Sequence, residues 1–309
     1  MEDDAAFAER FEGERGRLRG IAYRMLGSAS EAEDALQEAW LRASRAGTDG
    51  VANLPGWLTT IVTRICLNML RARESRREEP LEAHLPGAGA GGADAAAPGH
   101  REDGPDPEDE AVLAESVGLA MLVVLDTLAP AERVAFVLHD LFAMPFDEIG
   151  PMIERSPTAA RQLASRARRR VRGGTAAESP SEAEAAARAG QRRVVEAFLA
   201  AARGGDLQAL VELLDPDVVL RADRQVVPTP EPVVLRGARH VSQGAFAAAA
   251  RVPFSAPALV DGSVGLVMAP LGRLVLALAF TVDGGRITAI DVVADPDRLR
   301  DMRFGVLEG

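Results

Sequence analysis

Six arginines and no acid lie between Pro157 and Gly174, in a chain whose formal net charge is -11. Arginine binds phosphate and can give guanine two parallel hydrogen bonds, glutamine can do the same for adenine, and a small serine lets a helix lie close to a groove. Nucleic-acid binding is the chemistry these residue types offer. In the stretch SPTAARQLASRARRRV, Ser156 suits an N-cap and Pro157 the first helical position, which predicts a helix. At about 100° per residue, Ala160, Leu163, Ala164, Ala167 and Val171 share one narrow face. Arg161, Gln162, Ser165, Arg169 and Arg172 lie opposite. Upstream, Phe146, Ile149, Met152 and Ile153 form a shorter apolar stripe, and only Glu154-Arg155-Ser156 separates the two segments. That is the pattern of a helix-turn-helix whose second helix exposes a basic face. Arg161, Gln162 and Ser165 are assigned to base edges, and Arg166, Arg168 and Arg169 to phosphates. The alternative is a solvated face with no partner. Pro151, which follows Gly150, removes an amide and is expected to shorten or bend the first helix.

The elements that must position this helix emerge from the rest of the chain. With 309 residues and 47% hydrophobic content, it is long enough for two or three domains. All 35 basic side chains are arginine. This looks like genomic base composition, so recognition chemistry is not read from it. The single Cys66 allows no intramolecular disulfide and no cysteine zinc site, and a cytoplasmic location is the default expectation. No run of ~18 apolar residues and no basic-then-apolar leader occurs, so neither membrane insertion nor export is expected.

The segment 76–112, RREEPLEAHLPGAGAGGADAAAPGHREDGPDPEDEAV, carries 3 arginines against 10 acids and no apolar periodicity. It reads as an acidic disordered linker. Helical periodicity fills residues 1–75 before it and 113–173 after it. A second linker is read over 174–190, and residues 191–309 combine two amphipathic helices with strand-like runs. Among these, Asp283-Gly284-Gly285 signals a hairpin. The expected fold class is therefore multi-domain: two all-α pieces, a helical bundle and a helix-turn-helix, followed by an α+β domain.

Within the first piece, Ser30 and Glu33 are predicted to form a capping box, with Leu36, Ala39, Trp40 and Ala43 facing inward. Asp34, Gln37, Glu38 and Leu41 share the other side. An acidic patch around an exposed leucine fits a protein partner, and equally a plain solvated helix face. In the next helix, Leu58, Ile61, Val62, Ile65 and Met69 can face the core. Thr59, Thr60, Thr63, Arg64, Leu67 and Arg71 point elsewhere. Hydroxyls, an aromatic and guanidinium groups on one surface can hold single-stranded DNA.

The order EAEDALQEAWLRA, PGWLTTIVTRICLNMLRAR, an acidic linker, then LAPAERVAFVLHDLFAMPFDEIGPMIERSPTAARQLASRARRRV resembles the extracytoplasmic-function class of bacterial sigma factors over about residues 5–172. The first two stretches look like region 2 and the last like region 4. The resemblance implies a non-enzymatic factor without cofactor or metal, whose partners are core RNA polymerase, through its β′ clamp helices and β flap, and promoter DNA. It also implies that Asp34, Gln37, Glu38 and Leu41 contact polymerase. Trp57, Thr60, Thr63, Arg64, Asn68 and Arg71 would open and read the -10 element. The Arg161 to Arg169 face would read the -35 element.

The remaining residues resemble the SnoaL-like branch of the NTF2-like fold, a curved sheet wrapped by helices around a cone-shaped pocket. Sigma factors with such a tail form a recognised group with a glycine-rich Asp-Gly-Gly-Gly-Lys stretch and an Asn-Pro-Asp-Lys-Leu stretch. Here the second survives as Asp295, Pro296, Asp297, Arg298 and Leu299, implied to make a regulatory contact. The first is replaced by RADRQVV around Asp223 and Arg224. As catalytic candidates the tail offers only Asp223, His240 and Asp283, so regulation in cis is favoured over catalysis. An unidentified small ligand in the pocket would bias that regulation. The competing reading is a stand-alone helix-turn-helix regulator with a ligand-sensing α+β domain.

Overall fold

The computed structural model describes residues 2–48, 50–78, 118–173, 181–226, 231–248, 252 and 254–307. Most of the acidic segment, 79–112, and residues 174–180 of the second linker lie outside these. The chain divides into two compact units. One comprises Met1–Leu113 and Pro130–Leu163, the other Ala114–Ala129 and Ala164–Gly309.

In the first unit, α1 (Glu2–Leu26), α2 (Ala29–Ala46) and α3 (Leu54–Glu78) pack on one another. Leu18, Ile21, Met25, Leu36, Leu58 and Val62 are buried where they meet. Trp40 stacks on Phe7 and meets Phe11 edge-on, both with ring centroids 5.1 Å away, so one end of the bundle is closed by aromatic rings. Glu33 does not close a capping box. It accepts from Arg15 and Arg19 of α1, at 2.8 Å each, and so ties α2 to α1. The cap is Ser28, two residues earlier, whose hydroxyl accepts from the Glu31 amide at 3.4 Å. Gly27 just before it has φ +76°, a left-handed turn open to glycine, which sets where α2 begins. Cys66 is fully buried, and burial pushes its thiol up to about 12 against the opposing charge of Arg133, leaving a neutral core side chain.

The same unit contains α5 (Pro130–Phe136), which runs into a π-helical turn at Val137–Leu141, and α6 (Phe146–Met152). It also contains the first half of α7 (Pro157–Val171). Both α5 and α6 pack against α3, and the π-helical turn packs against α1.

The second unit is an α+β domain. Its seven-stranded sheet runs β2-β1-β6-β5-β4-β3-β7. The strands are β1 (Leu214–Ala222), β2 (Val233–Arg236), β3 (Ser255–Val260), β4 (Ser263–Met268), β5 (Leu276–Asp283), β6 (Arg286–Val293) and β7 (Phe304–Gly305). Among the described residues, β1 and β6 pair in parallel and the other strand pairs are antiparallel. The hairpin predicted at Asp283 is present: Gly284 and Gly285 both have positive φ and Asp283 pairs with Arg286. A second hairpin at Asp261-Gly262, both with positive φ, joins β3 to β4.

Alternation sends side chains to both faces of this sheet. On one face Leu266, Leu276, Phe280 and Ile290 pack with Val195, Phe198 and Leu199 of α8 (Glu182–Gly204). Helices α9 (Leu207–Leu213) and α10 (Ala238–Ala247) complete that face. On the other face Ala258, Val260, Val267, Ala277 and Phe304 cluster with Ala120, Val123 and Val124 of α4 (Leu119–Asp126) and Leu299 of α11 (Pro296–Asp301). Helix α8 begins inside the stretch read as linker, under a capping box between Ser181 and Glu184, so residues 182–190 are helical.

Candidate nucleic-acid interface

The basic helix is built as its sequence predicts. Ser156 caps α7, its hydroxyl accepting from the Ala159 amide at 3.2 Å. Ala160, Ala164 and Ala167 are fully buried, whereas Arg161, Gln162, Ser165, Arg166 and Arg169 are exposed and Arg168 is half-buried. Pro151 does not break α6, which continues to Met152. The connector turns sharply through Glu154, at φ +58°, and the Arg155 amide returns to the Gly150 carbonyl at 2.9 Å. A Cβ on Gly150 would come within 2.8 Å of the Arg155 carbonyl oxygen and 3.1 Å of the Pro157 nitrogen, so this turn closes only over a glycine.

One part of the site was not read from the sequence. The Arg161 guanidinium lies over the Phe146 ring, 5.3 Å from its centroid, and His139 stacks on the same ring at 3.9 Å. Phe146 had been read only as one of an apolar stripe. Its ring restricts the rotamers of the first basic side chain of α7, which lowers the entropy lost when that side chain binds.

Helix α3 departs further from expectation. Asn68, Arg64 and Arg71 are exposed, and Trp57 and Thr60 are half-buried. Thr63 is fully buried, as are Thr59 and Leu67, so Thr63 is not part of an accessible strand-binding surface in this structure. The physical reason is that α3 packs on α1 and α2 and also on α5 and α6, so it has two buried sides. Thr59 accepts from Arg17 at 2.7 Å, which is how its hydroxyl is satisfied away from water. On α2, Asp34, Gln37 and Leu41 are exposed, Leu41 at 41%, while Glu38 is half-buried and accepts from Arg42 at 2.7 Å.

In the tail, the two motif positions come together. Asp223 accepts from the backbone amides of Ala294 and Asp295, both at 3.1 Å, and pairs with Arg298. Asp295 caps α11, accepting from the amides of Asp297 at 3.0 Å and Arg298 at 3.1 Å, and also from the Gln225 side chain at 2.8 Å. The Arg298 amide first, then those of Asp297 and Gln225, hold the Asp295 carboxyl below the usual carboxylate range. The cap orients α11 so that Leu299 enters the cluster shared with α4. Pro296 opens the helix, and Asp297 pairs with Arg300.

The three catalytic candidates do not converge. Asp223 is level with Val292 on β6 and Asp283 with Arg286, which places them about 20 Å apart along the strand. His240 sits on α10 with Nδ1 3.0 Å from the Arg236 carbonyl. No helix among the described residues is long and apolar enough to cross a membrane.

Known proteins align with this geometry. Residues 11–76 match the family model for Sigma-70 region 2, and residues 119–171 that for Sigma-70, region 4. The ECF RNA polymerase sigma factor SigJ of Mycobacterium tuberculosis is 37% identical over 93% of this chain and 91% of its own length. A probable ECF RNA polymerase sigma factor, SigI, from the same species is 34% identical over 94% of this chain and 93% of its own. The crystal structure of SigJ aligns over 94% of this chain and 97% of its own, at 33% identity and a TM-score of 0.43. The region-2 matches cover α1 to α3, the region-4 matches cover α4 to α7, and the relatives extend through the tail: the chain belongs to the ECF family of RNA polymerase sigma factors.

Proposed function

We propose that the chain directs core RNA polymerase to promoters carrying -10 and -35 elements, with the labour divided among its surfaces. The observation that carries this reading is the exposed basic face of α7, with Arg161 seated on Phe146, in one chain with the region-2 bundle. Arg161, Gln162 and Ser165 meet base edges of the -35 duplex, and Arg166, Arg168 and Arg169 meet its phosphates. Trp57, Thr60, Arg64, Asn68 and Arg71 engage the separated -10 strand. Asp34, Gln37, Glu38 and Leu41 meet the β′ clamp helices, and the region-4 module meets the β flap. A cytoplasmic location, beside polymerase, follows from this reading.

The tail acts in cis rather than by catalysis. Its support is the sheet face where Leu299 and Phe304 cluster with Val123 and Val124 of α4, and the Val306 amide that donates to the Val171 carbonyl at 2.7 Å. A small ligand bound to the tail would change promoter use only by favouring one arrangement of these contacts over another.

The polymerase assignment is tested with Asp34→Arg and Leu41→Asp. Both residues are exposed, so neither substitution removes packing, and each is expected to weaken core binding at least tenfold by titration against labelled core enzyme. The thermal midpoint should stay unchanged. Core binding equal to the unsubstituted chain would remove α2 from the polymerase interface.

A further inference from the structure

Between α5 and α6 the backbone is shaped around one side chain. Val137–Leu141 form a π-helical turn, a local widening of a helix that recurs at functional sites. Ala143 follows at φ +55°, left-handed backbone that a residue with a Cβ seldom adopts, and the Met144 amide returns to the Leu138 carbonyl at 2.9 Å. Inside this turn, His139 Nδ1 lies 2.9 Å from the Met144 carbonyl oxygen. A carbonyl oxygen only accepts, so Nδ1 carries the proton and donates it. The bond limits rotation of the imidazole, and the turn thereby presents a ring of set orientation.

That ring lies on Phe146. The two centroids are 3.9 Å apart and the planes differ by 26°, so the stacking is face to face. Phe146 is buried, and the Arg161 guanidinium lies over the same ring at 5.3 Å from its centroid. Arg161 itself is exposed. A long exposed arginine samples many rotamers, and every rotamer excluded beforehand lowers the entropy lost on docking. Leucine at position 139 could fill the space beside Phe146. It could neither bond the Met144 carbonyl nor offer Phe146 a flat face.

We infer that His139 is a positioning residue for promoter reading: its stacked ring fixes Phe146, which in turn aims Arg161 at one base pair of the -35 element. The assignment of Arg161 to a base edge underlies this role. His139, Met144, Phe146 and Arg161 all belong to the first compact unit. Because His139 acts through Phe146, its effect is confined to the base pair that Arg161 reads.

The test uses the full chain, core RNA polymerase and a promoter that the two transcribe, in single-base-pair variants across the -35 element. Run-off transcript is measured from each. The base pair at which Arg161→Ala removes discrimination is the one that Arg161 reads. His139→Asn keeps an amide N–H for the Met144 carbonyl and removes the ring. It is expected to lower discrimination at that base pair about fivefold, with the other -35 positions unchanged. Added to Arg161→Ala, it should change nothing further. His139→Phe returns a flat ring to the stack and should recover most of the lost discrimination, at whatever thermal midpoint His139→Asn shows. Full discrimination in His139→Asn, equal loss at every -35 position, the same loss in the Arg161→Ala chain, or no recovery in His139→Phe would each overturn the positioning role. If Arg161→Ala lost discrimination at no base pair, the assignment of Arg161 would fail, and the role of His139 with it.

Discussion

Replacing Arg161 and Arg169 together with alanine is expected to abolish the advantage of promoters that carry a -35 element. One bidentate base contact contributes roughly 1–3 kcal/mol of discrimination and a phosphate contact somewhat less, so the pair amounts to about 2–4 kcal/mol, or ~30- to 1,000-fold. Both side chains are exposed on α7 and neither supports the buried alanine face, so the fold should be unaffected. The readout is the ratio of run-off transcript from a promoter with an intact -35 element to that from one with the element scrambled. This ratio should fall to about one, while titration of core polymerase gives an unchanged affinity. If core binding were lost instead, the assignment of DNA reading to α7 and polymerase binding to α2 would be wrong.

A second large effect is expected at a residue that touches no DNA. Gly150→Val puts a branched side chain where even a Cβ would lie 2.8 Å from the Arg155 carbonyl oxygen and 3.2 Å from the Ser156 carbonyl carbon. These are backbone atoms at the start of α7, so relief requires moving the recognition helix. Overpacking of this kind costs about 1–3 kcal/mol, and here the displacement also carries Arg161 away from Phe146. Thermal denaturation should show a lower midpoint, and the -35 ratio should collapse toward that of the double arginine variant with every arginine still present. A variant with the original midpoint and ratio would show that the turn can widen without shifting the helix.

The sequence made α7 legible because its information is local. A cap, a proline at the first position and an apolar stripe at helical spacing define both where the helix starts and which face is wet. The Asp283 hairpin was legible for the same reason, since two adjacent glycines satisfy a turn that needs two positive φ values. Asp261-Gly262 offers a similar signal, an Asp-Gly pair with positive φ at both residues between two strand-like runs. Where position depended on distant chain, the reading failed. The hydrophobic pattern of α3 marks one inward face, but the helix is buried on two sides, so Thr63 was placed in solvent and is in fact in the core. Helix α4, LAMLVVLD, is apolar all round and carries no periodicity that could announce its place on the sheet. Asp223 and Arg298 are 75 residues apart in sequence, and only the parallel pairing of β1 with β6 brings them together. Strands β2 and β7 are too short for alternation to show.

The central claim is that this chain confers promoter specificity on core RNA polymerase. Its most direct test is run-off transcription by core polymerase with and without the full-length chain on a mixed pool of genomic promoter fragments. The account expects discrete transcripts with fixed start sites that appear only when the chain and core enzyme are both present. Duplex DNA binding by the chain alone, with no transcript in the presence of core enzyme, would contradict it and identify the chain as a stand-alone regulator.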